Sequence, residues 1–134
     1  MRQAVLKRLK ERLERLDEIF REYVGLLSRT YPKSTIMLFG SRARGDHLPY
    51  SDYDIMIVTK LRDSEDKLAK AVKAYNVKPA QLSVDLLVVS EEELNDPLII
   101  KMLKEGCVIL YDGLGIADKL AVACKKASKP KNQR

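Results

Sequence analysis

Leu6, Leu9, Leu13, Leu16, Phe20, Tyr23 and Leu27 follow one another at alternating intervals of three and four residues. A strand cannot gather residues at that spacing on one side. An α-helix lines them up as a single stripe, the a and d positions of three heptads. Ile19, Val24 and Leu26 widen the stripe toward its C-terminal end, and Glu, Lys and Arg between them form a solvated face. One long helix is expected, ending near Ser28–Pro32. At about 1.5 Å per residue it is roughly 40 Å long, more than one face of a small domain needs. The stripe therefore has two destinations: the domain's own sheet, which amphipathic helices generally face, or, for its N-terminal half, a second chain.

The remaining segments alternate between the two periodicities. STIMLFG reads as a strand ending at Gly40, and YDIMIVT as a second strand after a loop marked by Pro49. Asp63-Ser64-Glu65-Asp66 is an acidic helix start, continued by LAKAVKAY. LSVDLLVVS is a third strand whose near-continuous apolar run predicts burial on both faces. Ser90-Glu91-Glu92-Glu93 has the form of a capping box, with a short helix near Leu98–Leu103 behind it. CVILY is strand-like, and a last helix is expected over Ile116–Lys126. The 134 residues suit a single domain. The expected fold class is α+β (α/β-like), a small mixed sheet of three to four strands flanked by helices. Its parts are the long helix (1–30), the main domain (31–126) and a basic, disordered tail (127–134).

Charge narrows the functional classes. The net charge is +6, but Lys119, Lys125, Lys126, Lys129, Lys131 and Arg134 lie in a stretch with no acidic residue. Residues 1–118 then hold 25 − 6 = 19 basic residues against all 19 acidic ones. The body is neutral, which argues against a broad nucleic-acid groove. High charge with only three Gln and three Asn is a pattern of heat-adapted proteins. Cys107 and Cys124 lack metal-ligand spacing and are expected to be buried, reduced thiols. No apolar run approaches membrane-span length, and MRQAVLKRLKERL is too charged for a secretory signal. A soluble cytoplasmic protein is expected.

The chemistry gathers in GSRARGDHLPYSDYD, residues 40–54. Asp52 and Asp54 stand two apart at the head of a strand, so both side chains point to one side. Carboxylates so placed can share metal ions, and Mg²⁺ suits them because it takes few protein ligands and leaves room for water and phosphate. Asp85 interrupts LSVDLLVV, where an unpaired buried charge is costly. Either it faces the same pocket from a neighbouring strand, or it pairs with a lysine or caps a backbone group. Gly40-Ser41 follows a strand and precedes RARG, where backbone amides, the Ser41 hydroxyl and Arg42 or Arg44 offer donors to phosphate. Neither a Walker A loop nor GxGxxG is present. A chance match to GSx10DxD in a chain of this length has odds on the order of one in 500, so the combination carries information that each part lacks. His47 reads as a solvated loop residue, Tyr50 and Tyr53 as cover or packing for the motif, and Glu91–Glu93 as a helix start.

GSx10DxD with a later strand aspartate resembles the nucleotidyltransferase superfamily of DNA polymerase beta, and the short chain with GSRARG and SDYDIMIV is most similar to its minimal nucleotidyltransferases (MNT). The motifs carry this resemblance over residues of about 35–90; elsewhere it rests on element order. It implies that Gly40 and Ser41 hold the triphosphate of ATP and that Asp52 and Asp54 ligate Mg²⁺, two ions in all. Asp85 would complete the metal site and help activate the acceptor hydroxyl, and Arg44, matching the GSxARG pattern, would aid the turn or the phosphates. It further implies a partnership with an HEPN-domain protein as antitoxin and toxin, with AMP transferred to the partner. Two other readings stand beside this one. The chain could be a non-catalytic module that neutralises a partner through its N-terminal helix, or it could transfer a nucleotidyl group to a small molecule or RNA.

Overall fold

A computed structural model describes residues 2–121 and 123–126. The elements run α1 (Arg2–Thr30), β1 (Ser34–Phe39), α2 (Gly40–Arg44), β2 (Tyr53–Thr59), α3 (Ser64–Asn76), β3 (Val84–Val89), a 3-10 turn (Glu92–Asn95), α4 (Pro97–Lys104), β4 (Cys107–Asp112), α5 (Ala117–Leu120) and β5 (Cys124–Lys126). The strands form one mixed sheet in the order β3-β2-β1-β4-β5. β1 runs antiparallel to both β2 and β4, while β2 with β3 and β4 with β5 are parallel pairs. The fold is α+β, as the alternating periodicities require.

Alternation along β2 divides the interior. Ile55 and Ile57 pack with Phe20, Tyr23 and Leu27 of α1 and with Ala74 of α3. Met56 and Val58 pack on the other face with Ile99 and Leu103 of α4 and Ala117 and Leu120 of α5. The sheet thus has helices on both faces, and β2 is apolar on both because it is a central strand. Local signals act as read. Asp63 caps α3 through the Asp66 amide at 2.8 Å. Ser90 and Glu93 exchange the two hydrogen bonds of a capping box at 3.1 and 3.2 Å.

Three expectations are corrected. The segment 116–126 is not one helix: α5 has four residues and Cys124–Lys126 is a fifth strand beyond the four expected. Cys107 and Cys124 are not free thiols. They stand opposite each other in the β4–β5 pair, with Cα atoms 4.6 Å apart, and form a disulfide. Their separation of 17 residues conveys nothing of this, because parallel pairing of β5 beside β4 creates the contact. β3, finally, is an edge strand whose first half is only partly covered.

α1 resolves the question of its stripe by dividing it. Its 29 residues span about 44 Å at about 1.5 Å per residue, yet only Phe20, Tyr23 and Leu27 are buried. Tyr23 donates a hydrogen bond to the Ala74 carbonyl at 2.6 Å, tying α1 to α3. Toward the N-terminus the seam runs past the domain, and Val5 and Leu6 are 61% and 63% exposed. Among the described residues no helix is long and apolar enough to cross a membrane. The tail 127–134 lies outside the described residues. Leu27→Ala is expected to destabilise the protein by about 2–5 kcal/mol through lost burial and a cavity, and Leu6→Ala by no more than about 0.5 kcal/mol. Urea denaturation of the two variants checks the division.

Candidate active site

Strand ends converge at one edge of the sheet. β1 finishes there at Phe39, while β2, β3 and β4 begin there at Tyr53, Val84 and Cys107. The register sets Phe39 opposite Asp54, and Asp54 opposite Asp85. Residues paired in register share a face of the sheet, so Asp54 and Asp85 point to the same side as Met56 and Val58, with helix α4 beyond. The pairing continues past the strand start, since the Tyr53 amide donates to the Ser83 carbonyl at 2.9 Å. Asp52 stands at this level and accepts a hydrogen bond from the Ser83 hydroxyl.

Gly40 brings the turn against these carboxylates. Its φ is +74°, a left-handed backbone that side chains disfavour, and a Cβ there would collide with the Asp54 carboxylate. Glycine is therefore required twice over, once by the turn and once by the approach. Ser41 follows at the same mouth, and its carbonyl closes the short helix α2 by accepting from the Gly45 amide at 2.9 Å.

Burial pushes the Asp54 carboxyl above the ordinary aspartate range, and the Asp85 and Asp52 charges push it further, while Arg44 pulls it down. Three negative charges thus repel one another across one small mouth. Asp85 is exposed rather than buried, which corrects the expectation of a charge sunk in an apolar strand; β3's place at the sheet edge is the reason. Arg44 pairs with Asp46 at 3.1 Å and lies across Gly106, where a Cβ would come within 2.6 Å of its Cγ. Its charge faces the carboxylates.

Arg42, the other candidate for phosphate, is directed elsewhere. Its side chain donates to the Ser51 and Pro49 carbonyls at 2.9 and 3.2 Å. His47 and Tyr50 are exposed loop residues. Tyr53 is buried on the opposite face, stacked on Phe20 with ring centroids 4.2 Å apart. Two participants escaped the sequence reading. Ser83 holds Asp52, and its one signal is its position two residues before Asp85. Asp17 of α1 accepts the Tyr53 hydroxyl at 2.6 Å, which no local pattern announces.

A family model described as a nucleotidyltransferase domain matches residues 6–110, most of the chain. The chain belongs to this family. Solved nucleotidyltransferase-fold structures agree. A candidate nucleotidyltransferase from Sulfolobus solfataricus superposes with a TM-score of 0.56 at 25% identity, over 78% of this chain and 86% of that one. A toxin–antitoxin crystal structure with AMP-PNP gives 0.53 at 22% identity, over 76% and 81%. A mutant of the toxin–antitoxin MntA-HpeT gives 0.52 at 21% identity, over 76% and 81%. At those last identities the likeness is one of fold. No curated protein matches the chain.

The three aspartates have the donor chemistry for a hard divalent cation. Asp54 and Asp85 stand side by side, Asp52 adds a third oxygen donor, and their mutual repulsion is what a cation relieves. Among the described residues, no three acidic, His or Cys side chains already enclose an ion-sized space.

Two expectations follow. Gly40→Ala should destabilise the protein by about 1–3 kcal/mol, from the strained φ and the Asp54 collision, read by denaturant unfolding. Because the folded Asp54 holds its proton to higher pH than the unfolded chain does, stability falls as pH rises through that interval. Asp54→Asn should therefore raise the Tm of EDTA-treated protein at neutral pH. The gain should vanish as pH drops below the usual aspartate value of about 4. Thermal melts at both pH values give the sign.

Proposed function

We propose that the chain is a Mg²⁺-dependent nucleotidyltransferase that moves AMP from ATP to a hydroxyl on a partner protein. The observation that carries this reading is the register that sets Asp54 beside Asp85 while Gly40 lies against Asp54. A turn suited to phosphate and a carboxylate cluster whose repulsion a cation would relieve share one mouth.

In this reading Gly40 and Ser41 hold the triphosphate by backbone amides and the Ser41 hydroxyl, and Arg44 balances phosphate charge. Asp52, Asp54 and Asp85 would hold Mg²⁺, two ions in this reading, which would supply charge neutralisation for the reacting phosphate. Asp85, exposed on the edge strand, accepts the acceptor's hydroxyl proton at a carboxylate oxygen. The acceptor oxygen forms a bond to the α phosphorus, the bond to the β-phosphate bridge breaks, and pyrophosphate departs. The two toxin–antitoxin neighbours support a toxin-like protein partner; that it is an HEPN-domain protein and the acceptor of AMP rests on the motif resemblance. An ATP donor favours the cytoplasm, and the Cys107–Cys124 disulfide is compatible with that in a heat-adapted protein.

A second reading, neutralisation of a partner by binding alone, is favoured by the open half of α1. Residues 2–16 carry six basic residues (Arg2, Lys7, Arg8, Lys10, Arg12, Arg15) against Glu11 and Glu14, beside the exposed Leu6. The two readings part in one experiment. The protein is incubated with Mg²⁺ and ATP labelled at the α phosphate, in lysate of its source, beside Asp52→Ala/Asp54→Ala. A labelled protein band is expected with the intact chain only. Label that persists in the double variant overturns catalysis by these carboxylates. A partner that co-purifies with both forms and never acquires label supports binding alone.

A further inference from the structure

We propose that Arg42 is a positioning residue that fixes the distance between the phosphate turn and the carboxylates, and that α1 belongs to this device through Asp17. The proposal rests on the reading of the site as a metal–nucleotide site and goes beyond it, since it concerns a side chain on the far face of the sheet.

Arg42 follows Ser41 directly in α2, and its side chain is only 9% exposed. Nε donates to the Ser51 carbonyl at 2.9 Å, and Nη2 to the Pro49 carbonyl at 3.2 Å. Nη1 lies 4.0 Å from the Asp17 carboxylate, and the guanidinium carbon sits 3.9 Å from the centre of the Tyr53 ring. Ser51 and Tyr53 are the two neighbours of Asp52, and Tyr53 is also the neighbour of Asp54. One guanidinium therefore fastens the turn to the strand head on both sides of Asp52. Tyr53 is fastened in turn, by stacking on Phe20 and by its hydroxyl bond to Asp17.

Three properties fit this role better than phosphate binding. The fork is directed at carbonyls and at Asp17, away from the mouth. Strand alternation puts Tyr53 on the α1 face and Asp54 on the other, so the clamp grips the strand from behind and leaves the carboxylate face open. Finally, the work needs a plane that stacks and a fork that spans two carbonyls. A guanidinium has both, and an ammonium has neither.

Positioning predicts a loss of coupling rather than a loss of affinity. The affinity of a fluorescent, non-hydrolysable ATP analogue is measured in saturating Mn²⁺ and in EDTA. In the unaltered protein Mn²⁺ is expected to tighten binding by about tenfold or more. In Arg42→Lys the affinity in EDTA should stay within about twofold, while the Mn²⁺ enhancement falls to about threefold or less. Asp17→Asn, which keeps an oxygen to accept the Tyr53 hydroxyl and removes the charge beside Arg42, should lower the enhancement by a smaller factor and decides the matter if Arg42→Lys does not fold. If Arg42 ligates phosphate, affinity in EDTA falls in a charge-removing Arg42→Gln, is restored in Arg42→Lys, and the Mn²⁺ enhancement survives in both; that overturns the proposal. A lowered Tm with an unchanged enhancement assigns Arg42 to stability alone and also overturns it. If the unaltered protein shows no Mn²⁺-dependent nucleotide binding, the reading of the site fails first, and this inference falls with it.

Discussion

The register of β2 between β1 and β3 is the constraint on which the rest depends. β2 is covered on both faces, so apolar burial alone does not tell one register from its neighbour. A slip of one residue exchanges Ile55 and Ile57 for Met56 and Val58, all of them buried. Tyr53 removes the ambiguity. Its ring has a stacking partner in Phe20, and its hydroxyl has an acceptor in Asp17, only on the α1 face. With Tyr53 held there, Asp54 must face the other way, toward Gly40 and Asp85. The aromatic residue inside the SDYD motif thus selects the side on which its two aspartates act.

What that register creates is an electrostatic debt. Carboxylates from two adjacent strands face one another, and the Asp54 proton is held more tightly by burial first and by the Asp85 and Asp52 charges second. Arg44 offsets part of the repulsion, and a cation with phosphate would offset the remainder. The turn at Gly40, φ +74°, is a backbone that a residue with a side chain would adopt only with strain. A glycine-only turn and like charge are thus concentrated together where β1 ends and β2 and β3 begin.

The long N-terminal helix belongs to both halves of this picture. Its C-terminal part is a wall of the core and, through Asp17, a backing for the site. Its N-terminal part extends past the sheet, with Leu9, Leu13 and Leu16 of the stripe half-buried, Leu6 exposed, and a basic surface. A neutral body therefore conceals an uneven distribution: residues 17–118 hold 19 − 6 = 13 basic and 19 − 2 = 17 acidic residues. The basic charge gathers at the open end of α1 and not on the body.

The sequence by itself determined the helix over the first thirty residues, the first four strands, the caps of α3 and of the turn after Ser90, and the GSx10DxD constellation. Each is encoded in neighbours a few residues apart, where periodicity, capping and turn chemistry are local. Tertiary structure alone decided the rest. The spacing of Ile116, Leu120 and Cys124 suits a helix, yet pairing of Cys124 with Cys107 draws the last three described residues into a strand. Asp85 faces Asp54 only because β3 lies parallel to β2 in one register, and it is exposed only because β3 is the sheet's edge. Ser83 reaches Asp52, and Arg42 reaches Asp17, across separations of 31 and 25 residues. No local rule spans such distances, since contacts between remote segments are fixed by how the layers stack.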